Sequence, residues 1–118
     1  MRVLVCGGRD YSDKNCVNST LDKIHADTPI DSLVHGGAKG ADALAGSWAM
    51  DRRVESIVVP AEWDKHGPSA GPIRNQTMIE KYHPDIVVAF SGGNGTADCV
   101  HRALASGIRV IRVTPREK

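Results

Sequence analysis

Short, nearly continuous apolar runs alternate along the chain with segments in which apolar residues recur every three or four positions. Five runs rich in β-branched residues, Arg2–Cys6, Ser32–His35, Glu55–Val59, Asp85–Ser91 and Ile108–Val113, predict strands, and most of them are near-continuous apolar runs, as expected for strands covered on both faces. Between them lie four helical stripes: Val17, Leu21 and Ile24; Ala41, Leu44, Ala45 and Trp48; Met78, Ile79 and Tyr82; and Ala97, Val100 and Leu104. The last stops at Gly107, a residue suited to the left-handed position that ends a helix. Alternation of this kind implies right-handed βαβ units. The expected fold is α/β: a Rossmann-like three-layer sandwich, one domain over residues 1–118, with a mainly parallel five-stranded sheet and helices on both faces. Pro60–Pro72, which contains Gly67, Pro68 and Gly71, reads as one long irregular loop, and such a loop in a small domain is more often functional than slack. Thr114–Lys118 reads as a frayed tail.

Composition narrows the classes. A chain of 118 residues has room for one sizeable core, and 41% apolar with 25% charged residues is close to the globular average. No apolar run approaches the ~20 residues of a membrane-spanning helix, and the opening Met1–Cys6 is too short for a secretory signal. The three cysteines, Cys6, Cys16 and Cys99, are odd in number and widely spaced. They predict buried, inert thiols in a reducing, cytoplasmic setting rather than disulfides or a zinc site. A net charge of +1 attracts no polyanion globally, so long nucleic acid is a less favoured partner and would need a local basic patch.

Candidate chemistry collects where strands run into helices. Gly7-Gly8-Arg9-Asp10 follows the first strand, His35-Gly36-Gly37-Ala38-Lys39-Gly40-Ala41-Asp42 the second, and Ser91-Gly92-Gly93-Asn94-Gly95-Thr96-Ala97-Asp98 the fourth. In an open parallel sheet these turns share the carboxyl edge, where ligands bind. Glycine lets the backbone approach a ligand closely, and the following helix offers unpaired N–H groups and a positive dipole end to a phosphate. None of the turns is a Walker motif, and the dinucleotide fingerprint is absent after the first strand, which argues against kinases, NTPases and dehydrogenases.

The polar segment Trp63–Met78 adds Arg74 and Asn75, expected in the first turn of a helix. An arginine there opposes the macrodipole, so it either grips an arriving anion or pairs with a surface carboxylate. Trp63 either stacks on a base or covers the core. Asp10 or Asp42 either holds a ribose hydroxyl or caps a turn. The five histidines show no metal-ligand spacing and no serine-hydrolase elbow occurs, so neither a metal nor a cofactor is expected.

Taken together, Gly7-Gly8-Arg9-Asp10, His35-Gly36-Gly37-x-x-Gly40-Ala41-Asp42, Gly71-Pro72-x-Arg74-Asn75-x-x-Met78 and Gly92-Gly93-x-Gly95-Thr96-Ala97-Asp98 resemble the YspA/YpsA-related branch of the SLOG superfamily. The resemblance implies a Rossmann-like sheet and a nucleotide-type ligand. Arg74–Met78 and Ser91–Cys99 are also similar to segments of the lonely-guy phosphoribohydrolases, which cleave nucleoside 5′-monophosphates into base and ribose 5-phosphate. That likeness implies phosphate at Gly93, Gly95 and Thr96, Arg74 facing the sugar-phosphate, Asp98 as the essential carboxylate, and a homodimer or higher homo-oligomer. This chain departs from those enzymes at Ser91 (a proline there), Asn75 (a lysine) and Asp98-Cys99 (two glutamates). Gly37–Asp42 looks like a motif of DNA-processing protein A, which binds single-stranded DNA; Arg9, Lys39, Lys65 and Arg74 would line such a groove.

The leading expectation is a nucleotide-binding domain. Its site is expected to comprise Gly8, Arg9, Gly36, Gly37, Lys39, Asp42, Arg74, Asn75, Gly92, Gly93, Gly95 and Thr96, with Asp98 and Arg74 as the catalytic pair if the ligand is hydrolysed at its N-glycosidic bond.

Overall fold

A computed structural model describes residues 1–113, so the expectation for Thr114–Lys118 lies outside the described residues. In chain order the elements are β1 (Arg2–Cys6), α1 (Lys14–Asp27), β2 (Ser32–His35), α2 (Ala41–Asp51), β3 (Glu55–Val58), α3 (Trp63–His66), a 3-10 turn (Gly67–Ser69), α4 (Ala70–Tyr82), β4 (Ile86–Ala89), α5 (Asn94–Ala105) and β5 (Arg109–Arg112). The five strands are all parallel in the order β3-β2-β1-β4-β5, as a Rossmann-like α/β fold requires. The chain winds outward from β1 to β3, then returns to β4 on the other side of β1. The order therefore reverses between β1 and β4, where Leu4 pairs with Val87 and Cys6 with Ala89.

Side-chain alternation divides the core in two. Val3 and Val5 of β1, with Leu33, Ile86 and Val88, pack against Val17 and Leu21 of α1 and Ala45, Trp48 and Ala49 of α2. Leu4 and Cys6, with Val34, Val87 and Ala89, pack against Met78 and Ile79 of α4 and Cys99, Val100 and Ala103 of α5. Odd and even positions of one strand thus feed opposite helical layers, the consequence of a two-residue repeat.

Four details depart from the sequence reading. Helix α4 starts at Ala70, not beyond Pro72, because proline is tolerated in a first turn whose N–H groups are unpaired anyway. Arg74 and Asn75 consequently lie in the second turn. The irregular stretch shrinks accordingly, since α3 and the 3-10 turn occupy most of it. On α5 the buried stripe is Cys99, Val100 and Ala103, which leaves Leu104 54% exposed. Finally, all three cysteines are free, but only Cys6 and Cys99 are buried; Cys16 is partly exposed. No helix of the described residues is long and apolar enough to cross a membrane.

Trp48 anchors the α1–α2 layer. Its ring is fully buried, while Nε1 donates to Asp22 Oδ1 at 2.8 Å; Arg52 grips the same carboxylate with Nε at 2.9 Å and Nη2 at 2.8 Å. Trp48→Ala is expected to cost about 3–5 kcal/mol, read as a lower urea midpoint at unchanged m-value.

Candidate functional site

Three glycine turns meet at the switch between β1 and β4, and the backbone of Gly8 ties them together. Its N–H donates to Ser91 O of the β4–α5 turn at 2.9 Å. Its carbonyl accepts from Tyr11 N and from Ala41 N at the start of α2, each at 3.2 Å. Gly40 fits beside it only as glycine: its φ is +76°, and an added Cβ would run into the carbonyls of Gly8 and Arg9. The glycines of the first two turns therefore serve mainly to let loops touch one another. In the third turn Gly92 does the same against Gly8 and Thr96, whereas a Cβ on Gly93 or Gly95 would meet nothing within 4 Å. Those two positions are where the backbone stays open to an incoming group. Helix α5 begins there, with Gly93 as its N-cap residue and no side-chain cap on its first amides.

Arg74 enters from α4. Its Nη1 donates to Gly36 O at 2.9 Å and its Nε to Asn75 Oδ1 at 2.9 Å. Gly36 lacks a side chain where the guanidinium lies, for a Cβ there would collide with Nη1 and Cζ. Among the described residues Arg74 pairs with no carboxylate, so the surface ion pair open at the sequence level does not form.

Asn75, 3% exposed, is the junction of the site. While its Oδ1 takes the Arg74 Nε–H, its Nδ2 donates to Asp98 Oδ2 at 3.0 Å and to Gly95 O at 3.3 Å. Arg102 also donates from Nε to Asp98 Oδ2 at 2.9 Å, one turn along α5, and from Nη1 to Gln76 at 3.0 Å. Partial burial pushes the Asp98 carboxyl up, but the Asn75 and Arg102 hydrogen bonds outweigh it and hold the group below its ordinary value. Asp98 is a carboxylate at neutral pH.

Asp42 behaves oppositely. It is buried, and its Oδ2 accepts from Gly36 N at 3.1 Å and Ala38 N at 3.2 Å, which braces the second glycine turn. Burial raises its pKa against the opposing pull of those amides and of nearby His35 and Arg74. His35 accepts from Gly37 N through Nδ1 at 3.0 Å, and burial lowers its pKa, so it stays neutral. The Cys6 thiol, set beside the Cys99 thiol and buried, is pushed well above its ordinary value and remains protonated.

These groups surround a cavity of about 460 Å³, within the range of small-molecule sites. Gly8, Arg9, Asp42, Arg74, Asn75, Gly93, Gly95, Thr96 and Asp98 all line it. Gly36, Gly37, Lys39 and Gly92 do not. Gly36 seats Arg74 from behind, Gly92 packs on Gly8, and Gly37 and Lys39 are exposed on the turn. Asp10 is also exposed and lies off the wall. The structure adds lining groups that motif reading did not assign: Cys6 and Met78 from the core, Pro68 and Pro72 from the segment before Arg74, and Asn94. Of these, Pro72, Met78 and Asn94 stand inside the quoted motifs without a role given to them, and Pro68 lies in the polar segment. Among the described residues no three His, Cys, Asp or Glu side chains group to hold a metal.

Residues 1–66, which span β1 through α3 and hence the first two glycine turns, match the family described as YspA, cpYpsA-related SLOG. The chain belongs to that family. This SLOG protein is also 39% identical over 118 residues to the Gene 61 protein of Mycobacterium phage D29, an alignment covering 93% of this chain and 94% of that one. The phage similarity therefore extends beyond the family match, into the part of the fold that carries Arg74 and the α5 turn.

The two cavity carboxyls are expected to bias stability in opposite directions with pH. The depressed Asp98 carboxyl stabilises the fold above the ordinary value of about 3.9, a contribution lost as pH falls through its lower folded value. The raised Asp42 carboxyl favours the fold most below that ordinary value, and the advantage is lost as pH rises through its folded value. In urea titrations from about pH 7 down to about pH 3, the deficit of Asp98→Asn relative to wild type should shrink, while Asp42→Asn should become steadily less favourable.

Proposed function

We propose that this SLOG protein binds a phosphorylated, nucleotide-type ligand in the cavity at the β1–β4 switch. The observation that carries the reading is the convergence of two anion-binding features on one cavity. The uncapped N-terminus of α5 at Gly93–Thr96 offers backbone N–H groups, and the guanidinium of Arg74 hydrogen-bonds neutral acceptors and forms no ion pair among the described residues. Helix N-termini and arginine are the two commonest devices for holding phosphate, and charge-assisted bonds there are stronger than neutral ones. Membership of the SLOG family supports a nucleotide as the source of the phosphate.

Arg74→Ala is expected to weaken nucleoside monophosphate binding by about 1.5–3 kcal/mol, measured by calorimetry. Unchanged affinity in a variant with wild-type circular dichroism would remove Arg74 from the site.

A second reading, N-glycosidic hydrolysis, is favoured by one observation. Asp98 lines the same cavity, is held ionised, and uses only Oδ2 in its bonds to Asn75 and Arg102, so Oδ1 has no hydrogen-bond partner among the described residues. Breaking the bond between the anomeric carbon and the base nitrogen builds positive charge on the sugar, and a carboxylate nearby stabilises it. Water then supplies the new hydroxyl on the anomeric carbon, and the base leaves protonated. On this reading Asp98→Asn loses turnover by at least about 100-fold while retaining ligand. Mass spectrometry of base and ribose 5-phosphate after incubation with a panel of nucleoside monophosphates reads it out, and equal product from the variant eliminates hydrolysis through Asp98.

A further inference from the structure

Trp63 is the one large side chain of the site that the phosphate reading leaves without a task. It sits at the start of α3, a single turn in which no residue is buried. It belongs to neither core cluster and is not among the residues packed against them, so it does not cover the core. It is 46% exposed and is the only aromatic side chain among the described residues that line the cavity. Gly71 of α4 lies against it: a Cβ there would stand 3.4 Å from the indole Cη2. The Arg9 guanidinium carbon lies over the Trp63 ring, 5.4 Å from the centroid, and Arg9 lines the cavity as well.

Leaving an indole outside both cores forgoes the large apolar burial that makes tryptophan useful to a fold. Placed on a cavity wall, the ring offers a π-face to a planar ligand, and every nucleobase has a matching face. A guanidinium stacks on such rings as well, through cation–π attraction. Pro68 and Pro72, which also line the cavity, carry no charge and present no side-chain hydrogen-bonding groups.

We propose that Trp63, with Arg9 over its ring, is the base-recognition platform of the site, so that the ligand is a nucleoside monophosphate with its aromatic base intact rather than a sugar phosphate. The inference rests on the phosphate-binding reading above and extends it from the phosphate to the other end of the ligand. Specificity then divides along the cavity. The α5 amides and Arg74 take the phosphate in either ligand, and only a ligand bearing a base engages Trp63.

The test compares AMP with ribose 5-phosphate, which share the phosphate and differ in the base. In the wild-type protein AMP is expected to bind at least about tenfold more tightly than ribose 5-phosphate. Trp63→Leu should reduce that preference to within about twofold while leaving ribose 5-phosphate affinity unchanged, and Trp63→Phe, which keeps a ring, should retain most of it. Fluorescence read on mixing gives an independent measure. The protein has two tryptophans, and Trp48 is fully buried, so quenching by AMP should vanish in Trp63→Leu, and ribose 5-phosphate should not quench the wild type. If wild type binds both ligands equally, or Trp63→Leu keeps the wild-type preference, the base platform is overturned and the phosphate site stands. If wild type binds neither, the phosphate reading and the base platform fall together.

Discussion

The site depends on three backbone hydrogen bonds at Gly8. Its amide reaches Ser91 and its carbonyl accepts from Tyr11 and Ala41, so the turns after β1, β2 and β4 are bound into one surface where the sheet order reverses. A reversal of strand order normally opens a crevice, because neighbouring crossovers depart in opposite directions. Here the crevice is closed at its base by backbone contacts that require glycine at positions 8, 40 and 92, and it stays open above Gly93 and Gly95. The N-terminal end of α5 is thereby tied to the central strands β1 and β4.

On that floor, Asn75 sets the electrostatics. A neutral amide presents opposite polarity at its two ends, and each end here meets its complement, the oxygen facing Arg74 and the nitrogen facing Asp98. An amide can therefore hold a guanidinium and a carboxylate in one cavity without letting them neutralise each other. A lysine at the same position, as in the lonely-guy enzymes, would bond Asp98 but would repel Arg74. The departure from those enzymes at position 75 matches the local charge pattern of this chain.

Much of this was legible in the sequence. The strand runs and three of the four helical stripes were clear because alternating and 3.6-residue periods are local properties. The turns at Gly8 and Gly93–Thr96 and the residues Arg74, Asn75 and Asp98 were picked out because glycine density and an arginine near a helix start are visible in a few residues. Pro60–Pro72 looked irregular because its prolines and glycines were read as breaks, while tertiary contacts with Arg9 and α4 allow short helical turns. Lys39 looked like an anion ligand by its place in a glycine turn, yet the turn is braced inward by Asp42 and leaves Lys39 exposed. Leu104 lay on a plausible stripe, but the sheet covers a narrower arc of α5, centred on Cys99, Val100 and Ala103. For Pro60–Pro72 and Leu104 the deciding partners include residues far away along the chain, whereas for Lys39 the brace is local, from Asp42.

The seat that Gly36 provides for Arg74 has an evolutionary meaning. The guanidinium occupies the volume that any other residue at position 36 would claim for its Cβ, so the two positions share one space across 38 residues of sequence. A larger residue at 36 evicts the guanidinium, and a shorter side chain at 74 leaves Gly36 facing a void. Neither site is free to drift by itself. Their histories should be those of a coupled pair, in which glycine and arginine are inherited together or lost together, and a lineage that parts with one has abandoned this arrangement of the cavity.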